Sequence, residues 1–448
     1  MSPKSIEGAL DRDFADKILA AYKQDPRNNV VRRSISRTPI VNTVYDPSAT
    51  AGTTMAFSNE IETMSVVNQK NSGRCWIFAA LNILRESIAK KLGITAKFEL
   101  SQNYISLFDK IEKANFALES VISLAQYSPN ERVFQFILTE PVSDGGQWDM
   151  FVNLVNKYGL MPKDCFPETY HSNNTRETNF LVNALIRQFA YQAHELAKAG
   201  KMSEIRPLKD KVMETVYRLF YDAFGIPPER FDFEYVDSKQ KFHKETFTPK
   251  SFFEKYVGKE LSEYQSLINS PTADKPFLRN YTIDYLGNVL EGKSINHLNV
   301  EMEDMKKAIV KQLLAGELVW FGSDVGFFRD RESIAWDDKA FDYESAFGML
   351  PYFEKGAMLD FRHSAMNHAM VITGVDLEDG KPLKWKIENS WGDSGGSNGY
   401  YVMSDTWFDR FVYQAVVKTK YLTKEQADAA KRVPTHLNPW DPMGTLAD

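Results

Sequence analysis

Asn68-Gln-Lys-Asn-Ser-Gly-Arg-Cys-Trp-Ile-Phe-Ala-Ala-Leu81 is the stretch from which the rest of the chain can be read. A polar loop containing Gly73 becomes an apolar run at Ile77, and Cys75, one of two cysteines, stands at the junction. Ile77, Leu81, Leu84 and Ile88 recur at helical spacing, so a helix is expected to begin at Cys75 and to stop at Gly93. Free N–H groups and the dipole at a helix N-terminus favour a thiolate, the nucleophilic form of cysteine. Gln69 lies just upstream and offers an amide donor. The segment suggests a cysteine nucleophile with an oxyanion donor beside it.

Working outward, the helical text continues. Ser101 is a suitable N-cap for a helix through Tyr104, Leu107, Phe108 and Ile111. Gly145-Gly146 precedes a helix from Trp148 to Tyr158, closed by Gly159. Residues 1–60 read as an irregular arm with one helix over 11–23, which Pro26 ends. From about 178 to 317 the text reads as mostly helical, with 178–290 an insertion that would serve oligomerisation. The last third changes character: 318–322, 369–375, 383–389, 399–403 and 411–417 read as strands. Helices first and strands later give an α+β class with two lobes and a cleft between them. The helical lobe would be 61–177, the β lobe 291–433, and 434–448 a tail.

A cysteine nucleophile needs a base and a group to orient that base. His368 opens the strand 369–375 and Asn389 closes the strand 383–389. Asp379-Gly380 between them is a hairpin turn signal. With those two residues as the loop, Glu378 faces Lys381 and, by extension, His368 faces Trp391, two positions from Asn389. Residues two apart share a face, so His368 and Asn389 come within side-chain reach. Leu383, Trp385, Ile387 and Asn389 should share one face, and Lys384, Lys386 and Glu388 the other. In this reading His368 takes the Cys75 proton, Asn389 orients the ring, and Gln69 with the Cys75 N–H stabilises the oxyanion.

Gln69, Gly73-Arg-Cys75-Trp76, Asn367-His368-Ala369 and Asn389-Ser-Trp-Gly392 resemble the blocks of papain-like cysteine peptidases. Asp144-Gly-Gly-Gln-Trp-Asp149 and Trp440-Asp-Pro-Met-Gly-Thr-Leu-Ala447 look like the bleomycin hydrolase/aminopeptidase C branch, and the resemblance spans essentially the whole chain. After Gly392 the sequence reads Asp393-Ser-Gly-Gly396, where many relatives carry a second Trp-Gly pair. The resemblance implies a papain-like two-lobed fold with a large helical insertion and a C-terminal tail lying in the active-site cleft. It implies an aminopeptidase of broad specificity, with hydrolysis of bleomycin-type amides a further activity, acting on peptides with a free N-terminus inside a homohexameric cage. Gly145 and Gly146 would pair with substrate backbone, and Trp391, by its place after Asn389, would shield the histidine–asparagine bond or form a substrate-binding wall on the leaving-group side. Ala447 and Asp448 would meet the substrate's α-ammonium. Asp448 would add a second carboxylate, attractive to cationic substrates; some relatives trim this last residue.

The remaining features bound the function. A chain of 448 residues with 43% hydrophobic content can build a large core. A net charge of -6 argues against a general nucleic-acid binder, which stays as an alternative with the peptidase site secondary. A cysteine endopeptidase of the same family is the other alternative. Two cysteines in a chain without a signal peptide or apolar span suit the reducing cytoplasm. Cys165 reads as structural, and His363 as a weaker rival base in a loop. The histidines lack metal-ligand spacing, so neither a metal nor another cofactor is expected.

Overall fold

Helix Cys75–Leu92 begins at the cysteine and ends against Gly93, whose φ of 67° is left-handed and easy for glycine. Residues from Trp76 to Arg85 are buried on all sides of it, which makes this a core helix rather than an amphipathic surface one. Helix Gln102–Ser123 follows, with the Ser101 hydroxyl accepting the Tyr104 N–H at 3.0 Å. Helix Trp148–Tyr158 runs to Gly159, where an added Cβ would meet the Pro249 carbonyl at 2.2 Å. The computed structural model describes residues 8–329 and 333–447. Its chain forms two compact units, Met1–Gly52 with Asp337–Phe353, and Thr53–Trp336 with Glu354–Asp448. No helix of the described residues is long and apolar enough to cross a membrane.

A twisted, mostly antiparallel sheet organises the larger unit. Its central run is Tyr264–Ile268, Val412–Lys418, Val319–Ser323, His368–Glu378, Lys381–Glu388 and Tyr400–Ser404, in that spatial order. Within it, Ser323 pairs with His368 and Gly322 with Ala369. The expected hairpin forms, with Asp379 at φ 50° and Gly380 at φ 77°, the left-handed pair a tight two-residue turn needs. Two irregularities interrupt the ladder, one between Pro382 and Lys384 and one between Lys386 and Ile387. They compensate, because Leu383 is extra on one strand and Thr373 on the other. The register near the site therefore returns to the value set by the turn.

Those irregularities correct the expected faces. Leu383 is the inserted residue and is 48% exposed, while Trp385, Ile387 and Asn389 are buried. Glu388, expected on the polar face with Lys384 and Lys386, is also buried. That end of the face is covered by helix Cys75–Leu92, whose Asn82 donates to Glu388 Oε1 at 2.7 Å and whose Arg85 pairs with it at 3.4 Å.

The mostly helical reading of 178–317 also needs correction. Helices Arg176–Lys198 and Ile205–Phe224 are present, but Phe231–Val236 and Phe242–Phe247 form a hairpin. The alternation Phe231, Phe233, Tyr235 is a period of two, and the first two rings pack on Phe252. Strands Tyr264–Ile268, Arg279–Ile283 and His297–Asn299 join the main sheet. Being short and buried on nearly every residue, they carry no alternation to read.

In the smaller unit the single expected N-terminal helix is Arg12–Gln24, and a second, unexpected one, Pro26–Ile35, follows. Pro26 starts a helix rather than ending one, because its missing N–H falls where no intrahelical bond is needed. Asp25 caps that helix through the Arg27 N–H at 2.9 Å. Residues 44–46 pair with 340–342, through Asp46 N–H to the Ala340 carbonyl and Asp342 N–H to the Val44 carbonyl.

Candidate active site

Cys75 enters the site as the first residue of its helix, after Arg74, which is held inside by Glu168 at 3.0 Å. The sulfur is almost completely buried and accepts the Ala369 N–H at 3.4 Å. Burial pushes the Cys75 thiol up to about 11, although the N–H groups of Ala369, Trp76 and Cys75 pull it down; Asp144 adds to the rise. A thiol held there is inert at neutral pH unless a cation joins it.

The ring able to become that cation is adjacent in structure. His368 Nε2 lies 2.8 Å from Asn389 Oδ1. An amide oxygen accepts, so Nε2 carries the proton in this contact. Trp391 stacks on the imidazole with centroids 4.9 Å apart and planes 26° off parallel, and Arg329 lies over the other ring system at 4.9 Å. A cavity of about 240 Å³ is lined by Cys75, His368, Gln69, Gly145 and Leu446, among others. The structure thus brings together Gln69, Cys75, His368, Asn389 and Trp391. His363 lines a different cavity, with Asp324 and Phe327, and Cys165 is a half-buried thiol near the Asp232 carbonyl.

Gln69 is fixed at both ends of its amide. Nε2 donates to the Ser72 carbonyl at 2.6 Å, and Oε1 accepts from the Ser390 hydroxyl at 2.6 Å. The second N–H of Nε2 is the one left to meet a ligand. Ser390, next to Asn389, therefore ties the donor loop to the orienting strand.

Asp144 is a residue whose importance the motif concealed. Its carboxylate accepts the Gly73 N–H at 2.8 Å, Lys110 Nζ at 2.5 Å, Asn179 Nδ2 at 2.9 Å and the Thr175 hydroxyl. Its carbonyl accepts the Trp76 indole N–H at 2.8 Å. Burial alone would raise this carboxyl, but the Lys110 charge and the Gly73 N–H outweigh it and hold it far below the ordinary range. One side chain thus fixes the loop before Cys75 to the Gly145-Gly146 turn. Its ion partner Lys110 is buried 34 positions upstream on helix Gln102–Ser123, a pairing that no local pattern announces.

The two glycines have separate reasons. A Cβ on Gly146 would meet the Trp76 ring at 2.4 Å, and one on Gly145 would meet the Leu446 carbonyl oxygen at 2.3 Å. Gly146 N–H donates to that same carbonyl at 3.0 Å. The Ser143 hydroxyl donates to the Ala447 carbonyl, and the Thr445 hydroxyl to the Met366 carbonyl at 2.8 Å. Leu446 and Ala447 are buried. Asp448, expected beside them, lies outside the described residues.

A thiol at a helix N-terminus, an imidazole oriented by an amide, and a second amide beside the thiol form the equipment of acyl transfer through a thioester. Residues 9–444 match the model of the Peptidase C1-like family. The chain belongs to that family. Its mixed helical and sheet architecture is papain-like. It is 47% identical over 396 residues to Aminopeptidase C of Lactobacillus delbrueckii subsp. lactis, covering 87% of this chain and 88% of that one. It is 39% identical over 394 residues to Bleomycin hydrolase of Homo sapiens, covering 86% of each. The crystal structure of pepw from Lactobacillus rhamnosis HN001 superposes with a TM-score of 0.95 at 43% identity, over 98% of this chain and 99% of that one.

Proposed function

We propose that this chain, a cysteine aminopeptidase of the papain-like family, removes N-terminal residues from peptides with Cys75 as nucleophile and His368 as base. With Nε2 engaged by Asn389, Nδ1 is the nitrogen that takes the thiol proton. The thiolate attacks the carbonyl carbon of the first peptide bond. The oxyanion that forms meets the Cys75 N–H and the second N–H of Gln69. His368 returns its proton to the leaving amine, and water then hydrolyses the thioester, with His368 as the base. Asn389 and Trp391 keep the ring in its plane throughout.

The observation that carries the exopeptidase reading is the hydrogen bond from Gly146 N–H to the Leu446 carbonyl at 3.0 Å. In this reading Gly145 and Gly146 are the strand-like rim on which substrate backbone pairs, and the tail takes that rim beyond the first substrate residue. By family resemblance, Ala447 and Asp448 would meet the substrate's α-ammonium. The curated relatives named Aminopeptidase C support the same assignment. Hydrolysis of bleomycin-type amides is supported by the likeness to Bleomycin hydrolase. Family resemblance supports a homohexamer, which light scattering on the purified chain tests. Two unpaired cysteines suit the cytoplasm.

The deciding assay compares a free-amine peptide with its N-acetylated form. Only the free-amine peptide should be cut, and Cys75→Ala should cut neither. Efficient cleavage of the acetylated peptide would move the chain to the endopeptidases, and turnover by Cys75→Ala would remove the mechanism.

A further inference from the structure

We infer that Glu140 selects substrates whose N-terminal residue is lysine or arginine, an inference that rests on the aminopeptidase reading above. Glu140 is exposed and ends helix Arg132–Thr139. It lines the cavity that holds Cys75, His368 and Gly145, and also an adjoining cavity of about 210 Å³ behind Ala447. The described lining of the Cys75 cavity contains two carboxylates, Glu140 and Asp144, and no lysine or arginine. Asp144 is fully engaged by Lys110, Gly73, Thr175 and Asn179. Glu140 has no hydrogen-bond or ion-pair partner among the described residues.

The carboxylate is also presented from a held backbone. Val142 N–H donates to Asn183 Oδ1 at 2.8 Å, and Asn183 Nδ2 donates back to the Val142 carbonyl at 3.1 Å. Arg187 donates to the carbonyls of Leu138 and Thr139 at 2.8 and 2.6 Å, and it is not among the residues lining either cavity. A carboxylate at a helix C-terminus faces the negative end of the helix, an arrangement that an arriving cation relieves. The cavity behind Ala447 has apolar walls from Phe116, Phe136, Ile137, Met150 and Leu286. Its lysine, Lys113, is committed to Asp109 at 3.1 Å and to the carbonyls of Ser143 and Gly145. Apolar walls with an exposed, unpaired anion among them match a side chain that buries an aliphatic stem and keeps its charged head in water.

The test measures kcat/KM for coumarin amides of arginine, lysine and leucine with the wild-type chain, Glu140→Gln and Glu140→Lys. The arginine-to-leucine ratio should fall about fivefold in Glu140→Gln, the upper range for an exposed ion pair, and further in Glu140→Lys. The wild-type ratio should also fall as salt is raised. A ratio unmoved in both variants overturns the inference. So does a parallel fall for all three amides, which would assign Glu140 to the α-ammonium that every substrate shares. A wild-type chain that cleaves none of the three overturns the aminopeptidase reading, and this inference with it.

Discussion

Removing residues 445–448 should convert a peptidase that needs a free N-terminus into one that cuts inside peptides, and should do so without unfolding it. The deletion frees Gly146 N–H from the Leu446 carbonyl, the Ser143 hydroxyl from Ala447, and the Met366 carbonyl from Thr445. It also empties the space beside Gly322 and Met366 that the Leu446 side chain fills. A neutral hydrogen bond contributes about 0.5–1.5 kcal/mol net and a buried leucine about 1.5–3 kcal/mol. Three such bonds and one leucine come to about 3–7.5 kcal/mol. Ordering Thr445, Leu446 and Ala447 costs about 1–2 kcal/mol each. The two nearly cancel, so the tail stays in place largely because it is tethered, and Tm should move by no more than about 2–4 °C. Activity should change more. One freed backbone donor and one freed side-chain space should raise kcat/KM on N-acetylated peptides about tenfold or more. Short free-amine substrates should lose a similar factor. Mass spectrometry of cut sites on matched acetylated and free peptides reads both effects, with circular dichroism as the control for folding. A folded truncated chain with an unchanged cut pattern would refute the reasoning.

Three further outcomes are expected. Gln69→Ala should lower kcat about 10²–10³-fold with little change in KM, because the lost donor acts on the oxyanion; a change confined to KM would reassign Gln69 to ground-state binding. The wild-type Cys75 should be alkylated by iodoacetamide near neutral pH, whereas in His368→Ala the rate should keep climbing towards pH 11, where burial sets the thiol; superimposable pH profiles would deny His368 its role. Burial pushes the Glu388 carboxyl up to about 7, against the pull of Arg85. The native state then holds a proton that the unfolded chain has released above its ordinary 4.5, so this stabilisation is present below pH 4.5 and lost as pH rises through 7. Glu388→Gln should therefore gain stability on the wild type between pH 4.5 and 8, by roughly 1–3 kcal/mol in urea unfolding; a pH-independent difference would contradict this.

Much of the fold's local grammar is legible without coordinates. The helix start at Cys75, its stop at Gly93, the Ser101 cap and the Asp379-Gly380 turn each depend on residues within a turn or two of one another. The mostly helical reading of 178–317 fails where that grammar is silent, at strands such as Tyr264–Ile268 that are buried on nearly every residue. The hairpin register near His368 survives two irregularities because they cancel, which no local pattern announces.

The sequence by itself determined which residues could do the chemistry: a thiol at a helix start, a histidine and an asparagine on neighbouring strands, and an amide upstream. Their spacing along the chain is set by backbone geometry, and backbone geometry is written locally. Tertiary structure alone decided what surrounds them. It buried Glu388 under the helix that carries Cys75, put Asp144 across the loop before the thiol, laid Leu446 on Gly146, and left Glu140 unpaired in the lining of two cavities. Each of the first three is a contact between residues tens to hundreds of positions apart. Its energy depends on what else is packed there, so no window of sequence contains it.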